Sequence, residues 1–187
     1  MTQRYNRQAD LITCRLDRPI VIVGAGGIGS FLTLTLAKMG FSDITVFDDD
    51  LVEEHNLPNQ FYREEDLGKH KVVALSDLVK SFTGTQILPV ADRWSVDHED
   101  YRPPAVLISA VDNMLTRTQM FTHYKAEGIG LFMDGRMGAN QIEVYTCLSP
   151  TEASEYETRL WAETDTAPVP CTSKATMYTV LTIASFI

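Results

Sequence analysis

Four glycines interrupt an apolar stretch near the amino terminus, VIVGAGGIGS, between Val21 and Ser30. They are Gly24, Gly26, Gly27 and Gly29. A glycine-rich turn between a strand and a helix lets backbone N–H groups approach a phosphate, and the positive end of the helix favours the phosphate charge. The stretch therefore predicts a nucleotide-binding turn, without choosing the nucleotide.

Strand and helix patterns alternate along the rest of the chain. The segments Pro19–Val23 and Ile44–Phe47 predict strands on either side of a helix over Ile28–Met39 that Gly40 ends, a spacing that suits a parallel crossover. Further predicted elements are helices over Lys71–Phe82 and Asn113–Glu127 and strands over Gln86–Val90, Val106–Ala110 and Leu131–Met133. After Gly138, the alternating segment NQIEVYTCL favours an antiparallel strand. The sequence thus predicts an α/β fold with a Rossmann-like, doubly wound and mostly parallel sheet that has a mixed antiparallel edge.

The acidic, proline-containing segment that follows is interpreted as a crossover loop over about residues 149–171. It suits either a solvated linker or a functional lid, in which Glu157–Glu163 can form a helical turn or two. A helical pattern resumes at Ser173 and ends on the apolar residues before Ile187, which suggests that the natural protein extends further. We expect residues 1–187 to form one domain.

Composition excludes several classes of function. The formal net charge of −9, from 16 basic and 25 acidic residues, opposes sequence-independent binding to nucleic acid. No membrane span and no signal peptide are predicted, so a cytoplasmic protein is expected. Cys14, Cys147 and Cys171 lie far apart, which supports neither a disulfide framework nor a CxxC zinc site.

The polar segment after the second predicted strand narrows the choice of nucleotide. Asp48 stands where a dehydrogenase places the acid that holds a ribose, so an NAD(P)-dependent oxidoreductase is one interpretation. The segment DDDLVEEHNLPNQFYREEDLGKHK then supplies more polar groups than a ribose needs, namely Asp50, Asn56, Asn59, Gln60, Arg63, Lys69 and Lys71. Carboxylates suit a metal ion, and amides and cations suit phosphate oxygens. The segment therefore favours ATP with Mg²⁺ over a dinucleotide.

Five motifs follow one another in an informative order: RYNRQ (Arg4–Gln8), VIVGAGGIGS, DDDLVEEHNLPNQ, GKHK (Gly68–Lys71) and SAVDNMLTR (Ser109–Arg117). In this order they resemble the ThiF, MoeB and ubiquitin-activating-enzyme family of adenylyltransferases, over about residues 4–117 and more loosely after Gly135. The resemblance implies that a C-terminal carboxylate of a ubiquitin-like or sulfur-carrier protein attacks the α-phosphate of ATP. Pyrophosphate leaves, and an acyl-adenylate is formed.

The resemblance also implies roles for individual residues. The glycine turn holds ATP together with Asp48 at the ribose hydroxyls, Asp50, Asn56 and Asn59 near the phosphates, Lys71 on the phosphates and Asp112 on Mg²⁺. Arg7 resembles an arginine donated to the nucleotide of a partner, which implies a homodimer or a dimer with a related chain. Cys171 is a candidate nucleophile that receives the activated carboxyl group or exchanges sulfur.

Each assignment has a simpler structural alternative. Asp48 can merely cap a turn, and Asp112 can be the N-cap of the following helix. Lys71 can be an ordinary lysine of an amphipathic helix, and Arg7 can be a solvated charge. Cys171 can be an inert small hydrophobic residue.

Two departures from the family pattern bear on activity. Asn59 stands where the family usually has an arginine, and an amide supplies neither a full charge nor a fork of donors. Arg63, one helical turn onward, is a candidate substitute. A catalytically weak or inactive ATP-binding scaffold is therefore an alternative function. The paired CxxC motifs of many relatives are missing, so no zinc is expected.

Overall fold

A computed structural model of the chain describes residues 3–8, 10, 12, 15–138, 141–160 and 187. The six strands are β1 (Ile20–Val23), β2 (Ile44–Phe47), β3 (Leu88–Val90), β4 (Val106–Ser109), β5 (Leu131–Met137) and β6 (Ile142–Cys147). The four α-helices are α1 (Gly27–Met39), α2 (Lys71–Thr83), α3 (Met114–Glu127) and α4 (Pro150–Glu157). Short 3₁₀ helices cover Gln3–Gln8, Glu54–Asn56 and Glu64–Asp66.

The strands form one sheet in the order β3-β2-β1-β4-β5-β6. All neighbouring pairs are parallel except β5 and β6, which are antiparallel. The chain moves outward from β1 to β3 and then returns to place β4 on the other side of β1. The order of the strands therefore reverses between β1 and β4, where open sheets of this type bind their ligands.

Alternate residues of β1 face two separate cores, as the period of a strand requires. Ile20 and Ile22 pack with residues of α1 and α2 on one face of the sheet. Val21 and Val23 pack with residues of α3 and α4 on the other face. Since both faces of the sheet are covered by helices, the predicted doubly wound fold with an antiparallel edge is confirmed.

The predicted helix ends are confirmed where glycine provides the stop signal. Gly40 and Gly128 have φ values of 102° and 62° and form left-handed C-caps after α1 and α3. Strand β5 continues to Met137, well beyond the predicted Met133. Its polar continuation contains Asp134 and Arg136, which are buried and paired with each other.

The prediction of a crossover loop starting at residue 149 was wrong in its first part, because α4 occupies Pro150–Glu157. The side chains of Ser149 and Glu152 form an N-terminal cap: Ser149 Oγ accepts a hydrogen bond from the N–H of Glu152, and Glu152 accepts one from the Ser149 hydroxyl. Proline is favourable in the first helical turn, so Pro150 suits the start of α4. Of the helical turn considered over Glu157–Glu163, Glu157 is the last residue of α4, and residues 161–171 lie outside the described part.

Among the helices that the structure describes, none has the length and apolar character needed to cross a membrane.

Candidate nucleotide site

The carboxyl ends of β1, β2 and β4 lie side by side and bring three loops together. Val23 is in register with Phe47 on one side and with Ser109 on the other. The pairing continues one residue further: the N–H of Gly24 donates to Phe47 O and that of Ala110 to Val23 O, both at 2.8 Å. The glycine turn, the segment from Asp48 and the loop after Ser109 therefore meet where the strand order reverses.

The glycine turn is shaped by close backbone contacts. Gly24 has a φ of 99°, and a Cβ on it would lie 2.5 Å from the Ala110 carbonyl oxygen. A Cβ on Gly29 would lie 1.8 Å from the carbonyl oxygen of Gly24. At Gly26, by contrast, the nearest heavy atom to such a Cβ is Gln60 Nε2 at 3.9 Å. Gly24 and Gly29 thus allow the turn to fold, because a side chain at either position would clash with the backbone. Gly26 instead leaves open space beside the start of α1.

Asp48 connects the end of β2 to the glycine turn. Its carboxylate accepts hydrogen bonds from the N–H of Ala25 at 2.7 Å and from the N–H of Asp50 at 2.9 Å. The bond from Asp50 is a local contact that caps the turn, as the simpler interpretation of Asp48 expects. The bond from Ala25 connects Asp48 to the glycine turn. Burial raises the pKa of the Asp48 carboxyl above its usual value.

Tyr62 fixes the same turn from the opposite side and was not singled out from the sequence. Its hydroxyl donates to the carbonyl oxygen of Ala25 at 2.6 Å. The ring is buried, and burial raises the pKa of its hydroxyl above the usual value. Ala25 is therefore held through its N–H by Asp48 and through its carbonyl by Tyr62.

Lys71 lies at the first position of α2 and forms an ion pair with Asp50, 2.6 Å between Nζ and Oδ2. The Lys71 side chain is 8% exposed and that of Asp50 is 65% exposed. The N–H of Lys71 also donates to Asp50 O. Lys71 is therefore a buried cation beneath an exposed carboxylate at the site, although it also belongs to an amphipathic helix.

Asn56, Asn59 and Gln60 form one turn. Asn56 is buried and accepts the N–H of Glu53 through Oδ1 at 2.8 Å, while its backbone carbonyl accepts the N–H groups of Asn59 and Gln60. Its side chain is therefore occupied in shaping the turn. Within the described residues, Asn59 Oδ1 and Gln60 Oε1 are buried without a hydrogen-bond partner. Such unpaired buried oxygens are uncommon and leave acceptor capacity for a bound group.

Arg63 does not lie on one continuous helix with Asn59, since bends separate the two residues. Its guanidinium donates two hydrogen bonds to Asp66 and also forms an ion pair with Glu65. Burial favours a raised pKa of the Asp66 carboxyl, but hydrogen bonds from Arg63 and Lys69 lower the pKa to about 2. Arg63 thus pairs with two residues of its own turn, Glu65 and Asp66. Its role as a substitute for the missing arginine stays a prediction.

Asp112 is exposed in the loop after β4. Asn113, not Asp112, is the N-cap of α3, since Asn113 Oδ1 accepts the N–H of Thr116 at 2.8 Å. The alternative role of Asp112 as a helix cap is therefore wrong. Within the part of the chain that is described, its carboxylate forms no hydrogen bond or ion pair. An exposed oxygen ligand beside a glycine turn fits a magnesium ion.

The remaining predicted residues lie away from these loops or outside the described part. Arg7 is exposed in the first 3₁₀ helix. Cys14 and Cys171 lie outside the described residues. Cys147 is buried, and burial raises the pKa of its thiol to about 11. A raised pKa disfavours the thiolate, which is the reactive form of cysteine.

The fold and site define a class: a doubly wound α/β protein with a glycine-rich nucleotide-type turn at the reversal of strand order. The sequence matches the model of the ThiF family over residues 10–186. The chain belongs to the ThiF family.

Two relatives show how the similarity is distributed. The chain is 34% identical over 104 residues to the "NEDD8-activating enzyme E1 catalytic subunit" of Dictyostelium discoideum, covering 54% of this chain and 24% of that protein. It is 33% identical over 121 residues to the "SAMP-activating enzyme E1" of Haloferax volcanii, covering 62% and 44%. The aligned segment thus spans less than half the length of either relative.

Solved structures agree on the fold. The E. coli tRNA N6-threonylcarbamoyladenosine dehydratase TcdA in complex with ATP superposes with a TM-score of 0.71 at 20% identity, covering 98% of this chain and 91% of that chain. E. coli MccB with ATP gives a TM-score of 0.60 at 16% identity, covering 90% and 56%. These identities support the architecture alone.

Proposed function

We propose that the chain binds ATP with Mg²⁺ where the three loops meet and adenylates the C-terminal carboxylate of a ubiquitin-like or sulfur-carrier protein. The observation that carries the proposal is the ion pair between the buried Lys71 and the exposed Asp50, which places a cation near Asp48, the residue that holds the glycine turn. A site for a ribose and one acid would not require it.

The chemistry asks mainly for positioning and for stabilisation of phosphate charge. The glycine turn and the start of α1 offer backbone N–H groups, and Lys71 offers a positive charge. Asp112 would hold Mg²⁺, which when bound spreads the negative charge of the phosphates. Asp48, anchored to Ala25, is proposed to receive the ribose hydroxyls.

The named relatives support this class of substrate. The names of the two aligned relatives refer to the activation of NEDD8 and of SAMP. A third, the "SUMO-activating enzyme subunit uba-2" of Caenorhabditis elegans, is 27% identical over 169 residues, covering 82% of this chain and 29% of that protein. We infer a small carrier protein as substrate of this chain as well.

Binding and exchange assays test the proposal. Calorimetry is expected to show binding of ATP with Mg²⁺ and none of NADH, because the site supplies charges for a triphosphate. ATP–pyrophosphate exchange, measured with candidate carrier proteins, is expected to depend on a free carrier C-terminus. A carrier whose C-terminal carboxylate is amidated is the matched control. Tight binding of NADH without binding of ATP would overturn the proposal in favour of an oxidoreductase.

A scaffold subunit is the second candidate function, favoured by Asn59 and by the engagement of Arg63 with Asp66. An amide at Asn59 stabilises less leaving-group charge than an arginine. This candidate predicts ATP binding with no exchange for any carrier, whereas the first predicts both.

Replacing Lys71 by methionine is expected to weaken binding of ATP with Mg²⁺ by about 10- to 100-fold, since a charge-assisted contact to phosphate contributes about 1.5–3 kcal/mol. Methionine fills similar space, so the fold is retained. Lys69→Met is the matched control, because Lys69 is directed to Asp66, and this variant should keep its affinity. Calorimetry measures the dissociation constant of ATP with Mg²⁺ for both variants. If the Lys71 variant binds ATP as tightly as the parent, Lys71 does not contact the phosphates.

We also propose a dimer and a transfer of the activated carboxyl group to a cysteine. A homodimer, or a dimer with a related chain, would let Arg7 reach the nucleotide of a partner. Cys171 remains a proposed acceptor of the activated carboxyl group, and the absence of zinc and a cytoplasmic location remain predictions.

A further inference from the structure

A buried group of charges lies beside the site and is not used by the proposed chemistry. Asp134 in β5 is fully buried and accepts hydrogen bonds from Arg117 Nε at 2.7 Å, Arg136 Nε at 2.6 Å and the Tyr156 hydroxyl at 2.9 Å. A carboxylate in such a place is tolerated only when it is paired and hydrogen-bonded. The three donors together satisfy this requirement.

Arg117 also reaches the loop that carries Asp112. Its Nη2 donates to the backbone carbonyl of Val111 at 2.6 Å, and Val111 is the residue immediately before Asp112. The Arg117 side chain is 6% exposed. One rigid guanidinium therefore fastens the loop backbone to a carboxylate that is fixed in the sheet.

We propose that Arg117 is a positioning residue that directs the Asp112 carboxylate towards the metal ion of the nucleotide. The inference rests on the proposed function, because it needs Asp112 to act on Mg²⁺. Asn113 caps α3 on the other side of Asp112, so the loop is held at both flanks of an exposed side chain. Without the bond to Val111, the loop is released on the side before Asp112, while the cap at Asn113 still holds the side after it.

The effect is measured as the ratio of two dissociation constants, that of metal-free ATP to that of ATP with Mg²⁺. Arg117→Lys keeps a positive charge for Asp134 but lacks the second branch that reaches Val111. It is expected to lower the ratio by about tenfold, which corresponds to about 1.4 kcal/mol, with the affinity for metal-free ATP unchanged. Arg117→Gln is the second variant if the lysine variant does not fold, since Asp134 keeps Arg136 and Tyr156.

Tyr156→Phe is the matched control. It removes one donor from Asp134 and keeps the ring and the Arg117–Val111 bond. A lower Tm with an unchanged ratio is expected. If this control lowers the ratio as much as the Arg117 variants, the effect is structural and the inference is overturned.

A double-mutant cycle with Asp112→Asn separates this inference from the proposed function. If Arg117 acts through Asp112, Arg117→Lys has no further effect on the ratio once Asp112 is replaced. A parent protein with no Mg²⁺ dependence overturns both proposals. A parent with a dependence that Asp112→Asn removes and Arg117→Lys leaves intact overturns the positioning role alone.

Discussion

Replacing Asp112 by asparagine is expected to lower the rate of ATP–pyrophosphate exchange by about 100- to 1000-fold, the usual cost of removing one group that stabilises charge in the transition state. The amide keeps the shape of the side chain but is a poor ligand for Mg²⁺. The Tm is expected to change by less than about 2 °C, since the side chain is exposed and surface substitutions have small effects on stability.

The neighbouring residue provides the control for this prediction. Asn113→Ala removes the N-cap of α3 and is expected to cost about 1 kcal/mol of stability, while the exchange rate falls much less than in Asp112→Asn, since the bond from Arg117 to Val111 still holds the loop. Thermal unfolding and exchange are measured for both variants. If Asp112→Asn lowers the Tm and keeps the exchange rate, Asp112 has a structural role and the metal assignment fails.

Local signals account for most of the fold prediction. The glycine turn, the apolar strand IVIV and the C-capping glycines Gly40 and Gly128 each specify their element within a few residues. The order of the elements then gives a doubly wound sheet, because parallel crossovers have few alternatives. The start of α4 was not predicted, since it depends on the cap that Ser149 and Glu152 form together.

The site was predicted less completely, because its geometry depends on contacts between distant residues. The sequence does not reveal that Lys71 is buried against Asp50 or that Arg63 is engaged with Asp66. Arg117 belongs to the motif SAVDNMLTR, but its partner Asp134 lies just beyond Met133, where the predicted strand ends. Long-range pairing of buried charges leaves no periodic signal in the sequence.

Two glycine-to-alanine substitutions in the same turn are expected to give opposite results. Gly26→Ala adds a methyl group with no atom closer than 3.9 Å apart from those of the adjoining residues, so the Tm should stay near that of the parent. The second glycine of such a turn lets the backbone approach a phosphate. The added methyl group is therefore expected to weaken binding of ATP by about tenfold or more, a loss of about 1.4 kcal/mol or more.

Gly29→Ala is the counterpart, because its Cβ would lie 1.8 Å from the carbonyl oxygen of Gly24. Backbone atoms at this distance must move apart, so we expect a loss of about 3 kcal/mol of stability and a fall in Tm of about 10 °C. Thermal unfolding and calorimetry with ATP are compared for both variants. A Gly26→Ala protein that binds ATP as tightly as the parent would show that phosphate does not approach the backbone here, and the turn would then serve only to pack α1 against the sheet.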